Sequence, residues 1–187
     1  DPGLNGRSID WPRGKTLGGT SSINGLLYIR GQREDYNHWR QLGNRGWSYE
    51  NLLPYFRRSE DNQNGSNKFH GSGGGLSVQN IRTNRDICEA LILAAEEIGL
   101  PRNDDFNGER QEGAGYFQQT ARNGLRCSTA VGFLNPIKHR SNLTIITQAL
   151  VEHILFSGTV AVGVAINLKN SHQQYGLKNG GEIILCA

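Results

Sequence analysis

The most informative residues of this chain are Arg13-Gly14-Lys15-Thr16-Leu17-Gly18-Gly19-Thr20-Ser21-Ser22-Ile23-Asn24-Gly25. Glycine has no Cβ and tolerates positive φ values, so a ligand can approach the backbone of this run closely. Successive backbone N–H groups form a concave site for an anion, and serine and threonine hydroxyls add further donors. The run favours a phosphorylated cofactor. An ordinary glycine-rich surface loop is the alternative that composition alone leaves open.

Two other nucleotide-binding motifs can be tested on this sequence, and neither fits. The tripeptide Gly14-Lys15-Thr16 resembles the end of a P-loop, but that motif requires a glycine where Ile9 stands. Residues 71–76 would need a glycine in place of Leu76, and a preceding strand, to bind a dinucleotide. Residues 64–70 are polar instead, so we interpret 71–75 as a turn.

The composition is typical of a globular protein with one domain. The chain has 187 residues, of which 36% are hydrophobic and 20% charged, and its formal net charge is +3. This length is sufficient for a hydrophobic core. The 20 lysines and arginines are scattered and accompany no aromatic stacking motif, so nucleic acid is not an expected partner. The sequence contains no apolar run as long as a membrane span and no signal-peptide pattern, so no integral membrane segment is expected.

The cysteines and histidines do not suggest a disulfide framework or a metal site. Cys88, Cys127 and Cys186 are odd in number and far apart, which is typical of a reducing compartment. We therefore expect a cytoplasmic protein, with peripheral attachment to a membrane as the alternative. The histidines share no ligand spacing and are interpreted as surface or packing residues: His38, His70, His139, His153 and His172.

Residues 1–98 contain signals for an extended arm and two or three helices. Residues 1–31 are expected to form the arm that carries the glycine-rich run, with a helix beginning within 24–29. Ser48 is a candidate N-cap for a helix over 49–59, in which Pro54 is destabilising unless it falls in the first turn. Residues 61–75 are predicted to form a polar loop.

Apolar residues between 85 and 98 recur at helical spacing and predict an amphipathic helix that ends before Gly99 and Pro101. Its apolar stripe is expected to lie in the core and consists of Ile87, Ala90, Leu91, Ala94, Ala95 and Ile98.

The last 45 residues are rich in β-branched side chains. Strands are predicted at 143–148, 150–156 and 160–168, with a tight hairpin turn at 157–159. Residues 182–186 form a continuous apolar run that predicts a strand buried on both faces of a sheet. The order of elements suggests an α+β arrangement whose strands are attached to a larger α/β domain.

The glycine-rich run and the residues after it resemble the first signature of the glucose–methanol–choline (GMC) oxidoreductases. Members of this family are FAD-dependent enzymes that act mostly on alcohols. The resemblance covers nearly the whole chain and is nearest to choline dehydrogenase-like bacterial alcohol dehydrogenases. The matching segments, in order, are 13–31, 35–39, 46–49, 52–60, His70-Gly71 with Gly75, 104–108, Gly113 and Gly115, 126–130 and 142–145.

The resemblance also shows which parts of the family pattern these residues lack. The family begins with a βαβ unit that carries a GxGxxG loop, and its catalytic histidine lies near the C-terminus. Neither feature occurs in this sequence, so we expect no catalytic residue within it. The resemblance therefore implies that residues 1–187 are an internal part of the N-terminal FAD-binding domain, Rossmann-like with an attached β-rich region. By itself this chain is expected to be inactive, and the remainder of the enzyme is a possible partner.

The resemblance assigns cofactor-binding roles to several residues. Asn24 matches the asparagine beside the flavin ring, and Val151 matches a strand position whose backbone meets the adenine. Ile23 stands where some relatives carry a histidine bonded covalently to the flavin, so non-covalent FAD is expected. Tyr28 is either near the flavin or a packing aromatic residue. The full set of expected cofactor-binding residues is Arg13, Lys15, Gly18, Gly19, Thr20, Ser21, Asn24, Gly25, Leu26 and Val151.

The function implied by the resemblance is oxidation of a primary alcohol, a small molecule such as choline, by hydride transfer to FAD. Two alternatives stay open at this point. One is a family member without redox chemistry, similar to hydroxynitrile lyases. The other is a catalytically inactive piece that only binds.

Overall fold

A computed structural model describes residues 2–186, which belong to two compact units, Asp1–His139 and Arg140–Ala187. In the first unit the α-helices are α1 (Arg33–Gln41), α2 (Tyr49–Ser59) and α3 (Asp86–Glu97). Its short strands are β1 (Glu60–Asn62), β2 (Leu76–Val78), β3 (Ala121–Arg122) and β4 (Leu125–Arg126). Single turns of 3₁₀-helix occur at Pro2–Leu4 and Gly19–Ser22, and a π-helical turn at Ala130–Leu134. The second unit contains β5 (Ala149–Ser157), β6 (Val160–Leu168) and β7 (Ser171–Gly176).

Helix α2 forms where the sequence predicts it. Ser48 has extended backbone angles, and its hydroxyl accepts a hydrogen bond from the N–H of Asn51 at 3.4 Å, as an N-cap does. Pro54 lies beyond the first turn, where a proline removes one hydrogen bond of the helix. The helix nevertheless continues to Ser59, and aromatic packing against α1 supports it. The ring of Tyr36 in α1 lies 5.6 Å from that of Phe56 in α2, centroid to centroid.

A buried group of charged side chains, which we call the ion cluster, connects the elements of the first unit. Arg30 donates from Nη2 to Oε2 of Glu60 at 2.7 Å, and the Glu60 side chain is fully buried. His70 lies 2.9 Å from Glu60 through Nδ1 and 2.9 Å from Asp105 through Nε2. The backbone N–H of Gly71 also donates to Glu60, at 2.8 Å. Residues 30 and 70–71 therefore meet at the Glu60 carboxylate, and Asp105 joins the cluster through His70.

The charges in the ion cluster stabilise one another. Hydrogen bonds to Asp105 and then to Glu60 raise the pKa of His70 to about 9, against the opposing effect of burial. Burial acts to raise the pKa of Glu60, but the hydrogen bond from His70 and the positive charge of Arg30 hold that pKa below its usual value. At neutral pH the cluster thus contains two carboxylates, a guanidinium and an imidazolium, which satisfies the requirement that buried charges be paired.

The small strands of the first unit surround a compact core. β1 and β2 pair in parallel, and β3 and β4 pair as an antiparallel hairpin. Val78 and Cys127 are fully buried, and the Cys127 thiol accepts from the N–H of Ser77 at 3.4 Å. The hairpin turn is Asn123-Gly124, whose positive φ values of 53° and 80° are those of a type I′ turn. Within residues 2–186 no helix joins two parallel strands, so no βαβ unit is present there.

One prediction for the N-terminal half is wrong, and two agree with the structure almost throughout. No helix begins within 24–29, because Leu26 has a left-handed φ of 67° and the segment 26–28 hydrogen-bonds to residues 118–120: the N–H of Tyr28 donates to the carbonyl of Gln118 at 2.9 Å. Residues 61–75 are a loop between β1 and β2, as expected, apart from the two residues that β1 takes from its start. The interpretation of 71–75 as a turn agrees with the structure, since these residues form bends.

Helix α3 has the predicted position, but the prediction that its apolar stripe lies in the core is wrong. Ile87, Leu91 and Ile98 are 74%, 72% and 79% exposed, whereas Ile92 is only 5% exposed. The helix carries apolar residues around most of its circumference, so spacing could not identify the face that packs. Gly99, with φ of 90°, follows the helix end as predicted. All helices in residues 2–186 fall short of the length and apolar character needed to cross a bilayer.

The second unit is an antiparallel three-stranded sheet in the order β5-β6-β7. The two longer strands and the turn at Gly158 lie where the sequence predicts them. The strands predicted at 143–148 and 182–186 are absent: both segments lack a pairing partner in residues 2–186, and Ile184 is 79% exposed. β7 was not predicted, because its residues are mostly polar and its side-chain pattern gives no apolar alternation.

The raised pKa of His70 makes the stability of this fold dependent on pH. A group with a folded-state pKa above its unfolded value of 6.5 stabilises the fold fully below pH 6.5, and this contribution is lost as pH rises through about 9. The shift in pKa corresponds to a decrease in the unfolding free energy on the order of 3 kcal/mol as the pH rises from 6.5 to about 9. Urea unfolding followed by circular dichroism at pH 6 and pH 9.5 should show this loss.

The matched variant for this measurement is His70→Gln, which keeps an amide donor but cannot titrate. We expect it to be less stable than the native chain at pH 6 and to have a flatter dependence of the unfolding free energy on pH. If the native chain and His70→Gln lost stability in parallel above pH 6.5, His70 would not be the group responsible.

Candidate functional site

Residues 13–25, called here the Gly-rich loop, contain a single turn of 3₁₀-helix at Gly19–Ser22. Gly18 and Gly19 both have positive φ values, 88° and 52°, and Gly18 caps the helical turn Gly19–Ser22. Within the turn, the N–H groups of Ser21 and Ile23 donate to the carbonyls of Gly18 and Thr20. A larger residue would be strained at either glycine, because only glycine adopts this backbone region without cost.

Several backbone donors of the Gly-rich loop remain available. In residues 2–186 the N–H groups of Gly18, Thr20 and Gly25 donate to no acceptor within the chain. A Cβ built on Gly19 or Gly25 would meet no atom within 4 Å, so open space lies against both residues. An outward-facing backbone with unpaired N–H groups is the arrangement that binds anionic groups such as phosphates. The other N–H groups of the turn are hydrogen-bonded internally, so fewer donors are available than the sequence suggested.

The inner side of the Gly-rich loop is closely packed. A Cβ on Gly14 would stand 2.2 Å from the carbonyl oxygen of Gly19, and one on Gly18 would stand 2.5 Å from the Ser22 hydroxyl. The Gly14 N–H donates to the Thr20 hydroxyl at 3.3 Å, and the Ser22 hydroxyl donates to the Leu17 carbonyl at 2.9 Å. The hydroxyls of Thr20 and Ser22 therefore help to stabilise the turn.

A second segment, Arg126-Cys127-Ser128-Thr129, holds the Gly-rich loop from outside. The Ser21 hydroxyl accepts from the N–H of Thr129 at 3.0 Å, and the Thr129 hydroxyl donates to the Gly18 carbonyl at 3.3 Å. Arg126 donates from Nη1 to the Ser21 carbonyl at 3.1 Å and to Oδ1 of Asn24 at 2.8 Å. A cavity of about 180 Å³ lies beside these contacts and is lined by Gly18, Thr129, Ala130, Phe133, Leu134 and Ile137.

Asn24 and Leu26 follow the helical turn in an unusual conformation. Oδ1 of Asn24 accepts from the N–H of Leu26 at 3.1 Å, and Leu26 has a φ of 67°, a left-handed value rare for a branched residue. The carbonyl of Leu26 accepts from the N–H of Thr120 at 2.8 Å, which fixes the strained residue in place. Strained backbone of this kind is concentrated at functional sites.

Three further residues expected to bind the cofactor belong to two parts of the chain: Arg13 and Lys15 to the first unit and Val151 to the second. Arg13 and Lys15 are exposed, and neither takes part in an ion pair among the described residues. Their charges are available to a ligand at the loop. Val151 belongs to the second unit, where it pairs with Ile166 and is 53% exposed. The structure therefore brings Arg13, Lys15 and the residues 18–26 together in one loop, while the role of Val151 stays a prediction.

Tyr28 packs against the ion cluster. Its hydroxyl accepts from Nε and Nη2 of Arg30 at 3.4 Å, and the guanidinium lies 5.7 Å from the centre of its ring. Burial raises the pKa of Tyr28 above its usual range. Of the two roles considered for this residue, packing is the one that these contacts support.

Sequence reasoning did not identify the contacts made by two groups of residues, one at the Gly-rich loop and one in the ion cluster. Arg126 and Thr129 contact the Gly-rich loop from more than 100 positions away, and the segment was identified only as part of a motif. His70 was interpreted as a surface or packing residue, which is too simple, because it is buried between two carboxylates. The adjacent acidic pair Asp104-Asp105 was the available signal, but no spacing rule connects it to His70.

Comparison with known proteins identifies the family. Residues 2–187 match the family described as GMC oxidoreductase. The chain belongs to the GMC oxidoreductase family. It is 44% identical over 163 residues to mitochondrial choline dehydrogenase of Mus musculus, covering 87% of this chain and 27% of that protein. It is also 43% identical over 183 residues to alcohol dehydrogenase [acceptor] of Pseudomonas putida, covering 97% of this chain and 33% of that protein. The chain thus spans about a third of the length of the curated relatives it matches.

Two solved structures share this fold over most of the chain. Pyridoxine 4-oxidase from Mesorbium loti has a TM-score of 0.86 and 29% identity, over 93% of this chain and 35% of that one. An FAD-dependent oxidoreductase from Chaetomium thermophilum has a TM-score of 0.85 and 28% identity, over 93% of this chain and 33% of that one. The prediction of a GMC-type FAD-binding fold is confirmed by these likenesses.

The Gly-rich loop fits a phosphorylated cofactor by its own geometry. The N–H groups of Gly18, Thr20 and Gly25 have no acceptor in the described chain, and open space lies where a Cβ of Gly19 or Gly25 would stand. Any side chain at those two glycines would occupy this open space.

The close packing inside the loop leads to a stability prediction. Gly14→Ala places a methyl group against the backbone carbonyl of Gly19, so the loop must shift, at a cost of about 1–3 kcal/mol. Gly25→Ala is the matched control, because the same methyl group there meets no atom. Thermal unfolding of the two variants should show a lowered Tm for Gly14→Ala and almost none of that effect for Gly25→Ala. Equal Tm values for the two variants would contradict the packing described here.

Proposed function

We propose that this chain is part of an FAD-dependent oxidoreductase that oxidises a primary alcohol. The observation that carries the proposal is the Gly-rich loop, with its unpaired N–H groups and open glycine faces, in a chain of the GMC family. The relatives named choline dehydrogenase and alcohol dehydrogenase support a small alcohol as the substrate. The odd number and wide spacing of Cys88, Cys127 and Cys186 support a cytoplasmic location, with peripheral attachment to a membrane as the alternative.

In this proposal the loop binds the cofactor mainly through its backbone. When bound, FAD supplies the redox chemistry by accepting a hydride from the alcohol carbon. The N–H groups of Gly18, Thr20 and Gly25 donate to it, and the exposed charges of Arg13 and Lys15 attract its phosphates. Val151 contributes a backbone contact to the adenine. These residues bind and orient; proton removal from the alcohol is assigned to a histidine outside these 187 residues.

The proposal requires that no side chain project from Gly19. Gly19→Val fills the open space and places a β-branched residue at a φ of 52°, a region that costs an L-residue about 1–2 kcal/mol. We expect flavin loading to fall at least about tenfold, measured as the flavin-to-protein absorbance ratio in a polypeptide that contains this chain.

The matched control for that experiment is Gly65→Val. Gly65 has a φ of 85° and open space around it, but it lies in the loop between β1 and β2. Its substitution should lower stability to a similar extent and leave flavin loading unchanged. If Gly19→Val bound flavin as well as Gly65→Val does, Gly19 would be only a turn residue.

The hydrocarbon side chain of Ile23 cannot form a covalent bond to flavin, so the cofactor should be released on denaturation. Acid precipitation of a flavin-loaded polypeptide that contains this chain should leave the yellow fluorescence in the supernatant. Added FAD should also raise the Tm of partly depleted protein, by an amount equivalent to about 2.7 kcal/mol at a hundredfold excess over Kd. Fluorescence that stays with the protein pellet would instead show a covalent link.

A further inference from the structure

Arg126 occupies a position fixed by two strands. It lies in β4, where it pairs with Ala121 of β3, and the Asn123-Gly124 turn closes the hairpin. Nη1 of Arg126 donates to the backbone carbonyl of Ser21 at 3.1 Å and to the side-chain carbonyl of Asn24 at 2.8 Å. The β3–β4 hairpin therefore positions the positively charged guanidinium of Arg126 beside the side chain of Asn24.

These contacts determine which end of the Asn24 carboxamide is available to a ligand. Both neighbours of the amide, Nη1 of Arg126 and the N–H of Leu26, are donors, so the carbonyl oxygen must face them. The NH₂ group then faces the opposite, exposed side, and it has no acceptor among residues 2–186. Because a cation donates to its carbonyl oxygen, the amide is polarised and its N–H groups become stronger donors.

The hydrogen bonds around Ser21 place the same segment against the helical turn. Thr129 contacts the Ser21 hydroxyl and the Gly18 carbonyl, three residues along the chain from Arg126. Thr129 thus holds the first half of the Gly-rich loop and Arg126 holds the second half. Arg126 and Thr129 thus determine the orientation of the polar groups that the loop exposes.

We propose that Arg126 is a positioning residue for the flavin site: it orients Asn24 so that the asparagine donates to the flavin through its NH₂ group. This inference rests on the proposed function. It assigns to Arg126 an effect on the bound flavin that goes beyond support of the fold, and it assigns to Asn24 the role of hydrogen-bond donor.

The test uses flavin-loaded protein prepared from a polypeptide that contains this chain. Arg126→Ala should raise the Kd for FAD about tenfold to a hundredfold, as expected for loss of hydrogen bonds that involve a charged group. At saturating FAD it should also lower the midpoint potential of the flavin, because a donor and a positive charge are lost near it. Arg126→Lys, which keeps the charge and one donor, should restore most of both properties.

The control is Arg122→Ala. Arg122 lies in β3 of the same hairpin, is exposed and forms no ion pair among the described residues. Its substitution should change neither the Kd nor the potential. A potential equal to that of the native protein in saturated Arg126→Ala would overturn the inference, because it would reduce Arg126 to a structural role.

Asn24→Asp tests the same assignment should Arg126→Ala not fold. The carboxylate can still accept from Arg126 and Leu26, but it has no NH₂ group. We expect the apo-protein to keep its Tm and the affinity for FAD to fall about tenfold or more. Native affinity in Asn24→Asp would overturn the assignment of Asn24 as donor. Failure of the native protein itself to bind FAD would instead reject the proposed function, and this inference with it.

Discussion

The first unit of this protein depends on a single fully buried carboxylate. Glu60 lies at the end of α2, and it accepts hydrogen bonds from Arg30, His70 and the backbone of Gly71. An unpaired charge in such a place would be strongly destabilising, so the three partners are required together. Their positions in sequence are far apart, and so the path of the chain between residues 30 and 71 is fixed by this requirement.

The same interaction determines where the Gly-rich loop can lie. Arg30 follows the loop by only five residues, and its N–H donates to Asn107 at 2.7 Å while its guanidinium also donates to the Phe69 carbonyl at 2.9 Å. The segment from Leu26 to Tyr28 is thereby held beside residues 118–120, close to the β3–β4 hairpin. The loop is therefore fixed at its end by a buried ion pair and along its length by the Arg126–Thr129 segment.

Local sequence signals were sufficient to predict the helix ends and turns that depend on a single cap or turn residue. Ser48 identified the start of α2, Gly99 the end of α3 and Gly158 the turn between β5 and β6. The Gly-rich loop itself was recognised from glycines and small hydroxyl residues, whose backbone freedom is a property of the residues alone. The family resemblance extended this reading to the cofactor and to the general fold.

Interactions between distant residues account for what the sequence could not show. No local pattern connects His70 to Asp105, or Arg126 to Asn24, because each pair is defined only after the chain has folded. The apolar runs at 143–148 and 182–186 have strand-like composition, but a strand also requires a partner with which to hydrogen-bond. For α3 the spacing was correct, and only the packing against Ile92 shows which face is covered.

The contact between the Gly-rich loop and Thr129 has a consequence for the order of events during synthesis. Ser21 and Thr129 are separated by 108 positions, so the loop leaves the ribosome long before the segment that holds it. At elongation rates of about 5–20 residues per second, this delay is roughly 5–20 s. Throughout that time the Gly18 carbonyl and the Ser21 hydroxyl lack their hydrogen bonds from Thr129. The loop therefore reaches its final geometry only after residue 129 has been synthesised.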